Sequence, residues 1–196
     1  MTVDTTSELF FERKYRDSSD PWNFSASDYE QGRYDAIVRN LVGPNSKNRR
    51  YKRAIEPGCS VGALTIRLAA ICDEVIAGDI SSTAVDLAKK RCEHLKNVSI
   101  ARLSLPDPLP VGEFDLIIFS EIGYYFSEPV LATLGRQLID RLSGDGLFLA
   151  CHWLGVSSDH LLNGDRVQEI LLQLRGVTHL NIERHPQFRL DTWERQ

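Results

Sequence analysis

The chain has 196 residues, 42% of them hydrophobic, with 23 basic and 27 acidic side chains and a formal net charge of −4. That size and apolar content fit one domain with a sizeable core, and the acidic balance speaks against nucleic acid as a partner. No apolar run approaches the roughly 20 residues needed to cross a bilayer, and the polar opening MTVDTTSELFFERKYRDSSD is not a secretory signal, so a cytoplasmic protein without a membrane span is expected.

The predicted elements begin with a short helix over 7–16, with Leu9, Phe10 and Phe11 on its apolar side, broken by Asp20-Pro21-Trp22. A second helix is predicted over 27–42. Ser27 is its expected N-cap, Glu30 completes a capping box, and Gly43-Pro44 stops it. Its apolar stripe is Tyr34, Ile37, Val38 and Leu41. Lys47 to Arg53 (KNRRYKR) is a short basic cluster, read as a solvated loop or the start of a strand.

From residue 51 the alternation becomes regular. Strands are predicted at 52–56, 74–78, 98–103, 114–120 and 146–152, and helices at 62–71, 82–95 and 129–142. Such alternation predicts parallel strands with right-handed crossovers. Leu116 to Phe119 and Leu147 to Ala150 are apolar throughout, as for strands buried on both faces. A helix at about 164–175 follows, then strands at 177–184 and 187–193 around His185-Pro186. So short a joint holds no crossover helix, so this pair is expected to be antiparallel. The fold class is therefore α/β, a Rossmann-like, mostly parallel seven-stranded sheet with an antiparallel C-terminal edge hairpin. The four cysteines (Cys59, Cys72, Cys92, Cys151) form no CxxC pair and read as buried, reduced thiols. The histidines show no metal-ligand spacing, so no metal is expected.

The most informative stretch is Glu56-Pro57-Gly58-Cys59-Ser60-Val61-Gly62. It ends the first predicted strand and opens a helix, the place where open α/β sheets bind ligands. A G-x-G-x-x-G dinucleotide turn would need glycine at 58, 60 and 63, and the chain offers Gly58, Ser60 and Ala63. Glu56 would repel a pyrophosphate but attract an ammonium. Asp79, at the next strand tip, is placed to accept from both hydroxyls of a ribose, or to cap the helix that follows. A cationic amino-acid tail joined to a nucleoside describes S-adenosylmethionine, whose product is S-adenosylhomocysteine. A nicotinamide-dependent oxidoreductase is the rival of a different class. Ile80 is expected against the adenine. At the third strand end an acid is common, yet the chain has Leu103 and Ser104, a backbone contact and a hydroxyl. Ser120, at the fourth strand tip, is counted with the cofactor contacts, and Asp115 with the structural residues.

Glu56-Pro57-Gly58-x-x-x-Gly62, Gly78-Asp79-Ile80-Ser81 and Phe114-Asp115-Leu116-Ile117 resemble the class I S-adenosylmethionine-dependent methyltransferases. Asp20-Pro21-Trp22-x-Phe24, Ser27-x-Tyr29-Glu30-x-x-Arg33 and the tip Ser120-Glu121-Ile122-Gly123-Tyr124-Tyr125 resemble the nodulation protein S (NodS) family. The resemblance implies one methyltransferase domain over 1–196, with an N-terminal helical cover (1–45) and an α/β core (50–196). It implies N-methylation of the free amine on the non-reducing glucosamine of a de-N-acetylated chitooligosaccharide, during Nod factor assembly. Another small-molecule acceptor, a thiol, carboxylate or hydroxyl, stays open on the residues alone. Methyl transfer needs alignment and water exclusion, and an amine must be neutral to attack. Glu121, Tyr124, Tyr125 and His152 are the candidate catalytic residues, with capping or packing as their other reading. Trp153 is a candidate to stack on a sugar. Arg33 is a candidate partner for the methionine carboxylate, and Trp22 for closing over the cofactor.

Overall fold

The computed structural model describes residues 6–43 and 49–196. Pro44 and Lys47, parts of the expected helix stop and basic cluster, lie outside the described residues. The chain divides into two compact units, 7–109 and 110–196, the latter joined by Thr6.

The 7–109 unit carries α1 (Glu8–Asp17), α2 (Asp28–Val42), β1 (Tyr51–Pro57), α3 (Ala63–Ile71), β2 (Cys72–Asp79), α4 (Ser82–Cys92) and β3 (Val98–Arg102). Its strands lie in the order β3-β2-β1, all parallel, with Glu56 opposite Ala77 and Asp79 opposite Arg102. The connecting helices are what parallel pairing demands.

Three local expectations are corrected. The buried residue of α1 is Tyr15, while Leu9 is 77% exposed. The capping box does not form: Ser27 makes no side-chain cap bond, and its N–H, from which Glu30 would accept, already donates to Asn23 O at 3.1 Å. Glu30 pairs instead with Arg33, whose Nε donates to it at 3.0 Å. Helix α4 ends at Cys92 rather than 95, where the Leu95 N–H turns back to Cys92 O at 2.9 Å. The expected stripe of α2 holds, with Tyr34, Ile37 and Leu41 buried and Val38 half-buried.

The 110–196 unit carries β4 (Phe114–Ser120), a 3-10 turn (Gly123–Tyr125), α5 (Glu128–Asp140), β5 (Leu142–Trp153), α6 (Gly164–Leu171), β6 (Val177–Arg184) and β7 (Phe188–Arg195). The strand order is β4-β5-β7-β6. β4 and β5 are parallel, and β7 runs antiparallel to both β5 and β6. The predicted C-terminal hairpin is thus present. β5 starts four residues before its predicted 146, because Leu142 pairs with Phe114 across a register shift. α6 stops at Leu171 instead of about 175, with the Leu172 N–H closing on Gln168 O at 2.9 Å. Leu116 to Phe119 and Leu147 to Cys151 are all buried and form the core. The architecture is the predicted one: seven strands, mostly parallel, closed by an antiparallel hairpin.

One glycine is irreplaceable on packing grounds. A Cβ on Gly78 would lie 2.6 Å from both Ala101 O and Leu103 Cβ. Neither can move without shifting β3. Gly78→Ala is expected to lower stability by about 1–3 kcal/mol, measured as a shift in urea midpoint at constant m-value.

Candidate functional site

In the 7–109 unit, the turn after β1 folds back on the end of β2. The Gly58 and Cys59 N–H groups both donate to Gly78 O, at 2.7 and 2.9 Å. Gly58 (φ 74°) and Gly62 (φ 77°) take left-handed backbone, and so does Ser60 (φ 50°). A left-handed non-glycine residue in such a turn is strained and is often found at a functional site. The Tyr15 hydroxyl, at 2.6 Å, donates to Ser60 Oγ and fixes it there.

Asp79 receives the turn. Its Oδ2 accepts from Ser60 N–H and its Oδ1 from Ser81 N–H, each at 3.0 Å. The cap of α4 is Ser81, which accepts from Ala84 N–H, so Asp79 is not spent as a helix cap. Glu56 accepts from Thr65 Oγ1 at 2.6 Å. Both carboxylates are nearly sealed from solvent, at 4% exposure for Glu56 and 6% for Asp79. Burial pushes Glu56 up to about 8, against the Thr65 hydroxyl, with the Asp79 charge adding to the rise. Burial likewise raises Asp79 to about 6, against the Ser81 and Ser60 amides. Two buried carboxylates that repel each other hold protons they would shed beside a cation.

The segment before β1 covers this turn. Glu12 of α1 accepts from Ser81 Oγ at 2.7 Å, Thr83 N–H at 3.2 Å and Thr83 Oγ1 at 2.7 Å. The Thr83 hydroxyl bond chiefly holds Glu12 down at about 2, and the carboxylate sits at the N-terminus of α4, where negative charge is favoured. Trp22 is half-buried and packs against the cluster of Tyr15, Val61 and Ala84, meeting the Tyr15 ring at 5.5 Å between centroids. Asp20 closes the preceding bend by accepting from the Phe24 and Ser25 N–H groups, both at 2.9 Å. Arg33, 1% exposed, is committed to Glu30 and lies over the rings of Tyr34 and Phe24.

At the end of β3 the Leu103 N–H donates to Asp79 O at 3.0 Å. Ser104 accepts from Asp107 N–H at 2.8 Å through its backbone oxygen, so its hydroxyl is not used in that turn. Ile80 and Ser104 are both half-buried.

In the 110–196 unit, β4 ends at the half-buried Ser120. Glu121 follows in left-handed backbone (φ 61°). Its Oε2 accepts from the Tyr124 hydroxyl and its Oε1 from the Trp153 N–H, both at 2.7 Å. The carboxylate is thus held from the 3-10 turn, by Tyr124, and from the end of β5, by Trp153. His152 is wholly buried, and its Nε2 accepts from the Gly123 N–H at 3.0 Å. That bond fixes the 3-10 turn carrying Tyr124 and Tyr125, and it occupies the nitrogen a free base would need. The structure therefore gathers Glu121, Tyr124, Tyr125, His152 and Trp153 around one turn.

A residue outside the expected set joins them. His160, from the loop after β5, stacks on Tyr124 with ring centroids 3.8 Å apart and meets Tyr125 edge-on at 5.2 Å. Tyr15, Ser60 and Glu12 were likewise not legible as site residues. Ser60 alone left a trace, as a serine where the turn geometry favours glycine.

The family model of Nodulation protein S (NodS) matches residues 4–158 of the chain. Nodulation protein S of Bradyrhizobium diazoefficiens is 28% identical over 127 residues, 64% of this chain and 59% of that protein. Its counterpart from Azorhizobium caulinodans is 29% identical over 142 residues, 70% of this chain and 64% of that protein. The chain thus spans less than two thirds of the length of these curated relatives. The crystal structure of the N-methyltransferase NodS from Bradyrhizobium japonicum WM9, in complex with S-adenosyl-L-homocysteine, has a TM-score of 0.82 at 20% identity, over 96% of this chain and 97% of that one. It shows a shared fold. The matched stretch takes in both the segment from Asp20 to Arg33 and the tip from Ser120 to Tyr125, and on it the chain belongs to the nodulation protein S family.

Proposed function

We propose that this protein is a cytoplasmic S-adenosylmethionine-dependent N-methyltransferase, working as one methyltransferase domain. Its acceptor is the free amine on the non-reducing glucosamine of a de-N-acetylated chitooligosaccharide, in Nod factor assembly. The observation that carries this reading is the family match over residues 4–158.

The residues of the 7–109 unit fit the cofactor. Glu56 is a buried acid with a raised pKa, suited to a cationic amino-acid tail. Asp79 keeps lone pairs beyond those used by Ser60 and Ser81, suited to a ribose diol. The Gly58 and Gly62 turn lets backbone approach closely. Ile80, the Leu103 carbonyl and the Ser104 hydroxyl suit an adenine. Trp22 closes over the cofactor. Arg33 is the partner for the methionine carboxylate, held in place by Glu30. When bound, the cofactor supplies an electrophilic methyl group on sulfur.

Glu121 orients the amine and offsets its positive charge, with Tyr124 and Tyr125 forming apolar walls that exclude water. His152 is a positioning residue for the turn that carries them. Trp153 offers an aromatic face to a sugar.

The test follows radiolabelled methyl from S-adenosylmethionine into chitooligosaccharides with and without the terminal free amine. Labelling of the free-amine oligosaccharide alone is expected. Equal labelling of both, or labelling only of thiols or hydroxyl compounds, would overturn the acceptor.

A further inference from the structure

We propose that His160 takes the proton from the acceptor's ammonium group before methylation. The proposal rests on the N-methyltransferase reading above, and it assigns the base that reading leaves open.

Glu121 is anchored at each oxygen, by Tyr124 and by Trp153, and with its remaining lone pairs it orients the amine. His152 has its Nε2 taken by Gly123. His160 differs from both. Its Nδ1 is buried and has no hydrogen-bond partner among the described residues. No hydrogen bond at that atom resists a half-turn of the ring about Cβ–Cγ, which exchanges Nδ1 with Cδ2 and preserves the stack on Tyr124.

The surroundings suit a base that is neutral at rest and charged for a moment. Burial holds His160 below the ordinary histidine value, against the opposing pull of the Asp159 and Glu121 charges. It therefore stands as a free base at neutral pH. The imidazolium formed on proton uptake would lie on the face of Tyr124, with Tyr125 and Trp153 edge-on at 5.2 and 6.1 Å. Aromatic faces attract cations, and Glu121 and Asp159 supply the compensating charge. The loop itself is positioned from the same turn, since the Leu161 and Leu162 N–H groups both donate to Tyr124 O, at 2.8 and 3.2 Å.

In the step, one N–H bond of the ammonium breaks and leaves its electron pair on nitrogen as the attacking lone pair. The proton bonds to His160 Nδ1 and later passes to solvent from the half-buried ring. No oxidant, reductant or further reactant is needed.

Two variants test this, His160→Ala and His160→Phe, the second keeping a ring on Tyr124 without a proton acceptor. Both are expected to lose about 10- to 100-fold in kcat/KM at pH 7, with S-adenosylhomocysteine affinity unchanged. The deficit should close as pH rises past the amine's own pKa, where the acceptor arrives already neutral. In the wild type without cofactor, the His160 C2–H NMR resonance should respond to the free-amine oligosaccharide and not to its N-acetylated form. A deficit equal at every pH, full activity in His160→Phe, or a silent resonance would overturn the assignment while leaving the methyltransferase reading intact. A wild type that methylates no amine at all would overturn the reading and the assignment together.

Discussion

The ligand-free protein is expected to lose about 3 kcal/mol of stability as pH rises from 5 to 8. Glu56 stands at about 8 in the fold against an ordinary value of 4.5, and Asp79 at about 6 against 3.8. Both values are raised, so the folded state keeps protons that the unfolded chain releases. The stabilisation is complete below the unfolded values and is lost as pH climbs through the folded ones. Within the window between, each such group changes stability by about 1.4 kcal/mol per pH unit. His160 acts the other way, because its lowered value makes the fold bind its proton less readily than the unfolded chain does. Relaxation of the buried site also trims the sum.

Urea denaturation at pH 5, 6, 7 and 8 measures this directly. Glu56→Gln should flatten most of the slope, since it removes the ionisation and keeps an acceptor for the Thr65 hydroxyl. Stability that is level or rising across that range would show that the two acids ionise freely in the empty protein. The same protonation predicts that a cationic ligand expels a proton from Glu56, so its affinity should climb toward pH 8.

The second large effect is at Glu121. Glu121→Ala is expected to lower turnover by about 10²–10³-fold with cofactor affinity unchanged. On the proposed reading it removes the charge that orients the amine, and it also releases Tyr124 and the end of β5, both anchored on its oxygens. Glu121→Gln separates the two losses, because an amide oxygen still accepts one of those bonds while the charge is gone. If the glutamine variant turns over like wild type, Glu121 works only as an anchor. If both variants fall alike, the charge is what counts. A variant whose cofactor affinity fell with its turnover would place Glu121 on the cofactor instead.

The acids and glycines of the turn after β1 were legible because they are local in sequence. The acid that ends β1, the glycines at 58 and 62 and the acid that ends β2 lie within 24 residues, each at the end of an apolar run. β4 was predicted at its observed limits, since a fully buried strand is a continuous apolar run between polar breaks. β5 was predicted short, and only pairing with β4 draws Leu142 into the strand. The capping box failed for a similar reason. Ser27 and Glu30 have the right spacing, but the bend closed by Asp20 had already claimed the Ser27 N–H.

By itself the sequence determined the order and type of the elements, the hairpin at the edge and the acids that end β1 and β2. These follow from hydrophobic period and from residues adjacent along the chain. Only the tertiary structure decided which partners each group has. It tied Arg33 to Glu30, set Ser60 under the Tyr15 hydroxyl, buried His152 against the Gly123 N–H, and brought His160 onto Tyr124. The physical reason is that a side chain's pKa and orientation depend on burial and on contacts far away in sequence, and no local pattern encodes either.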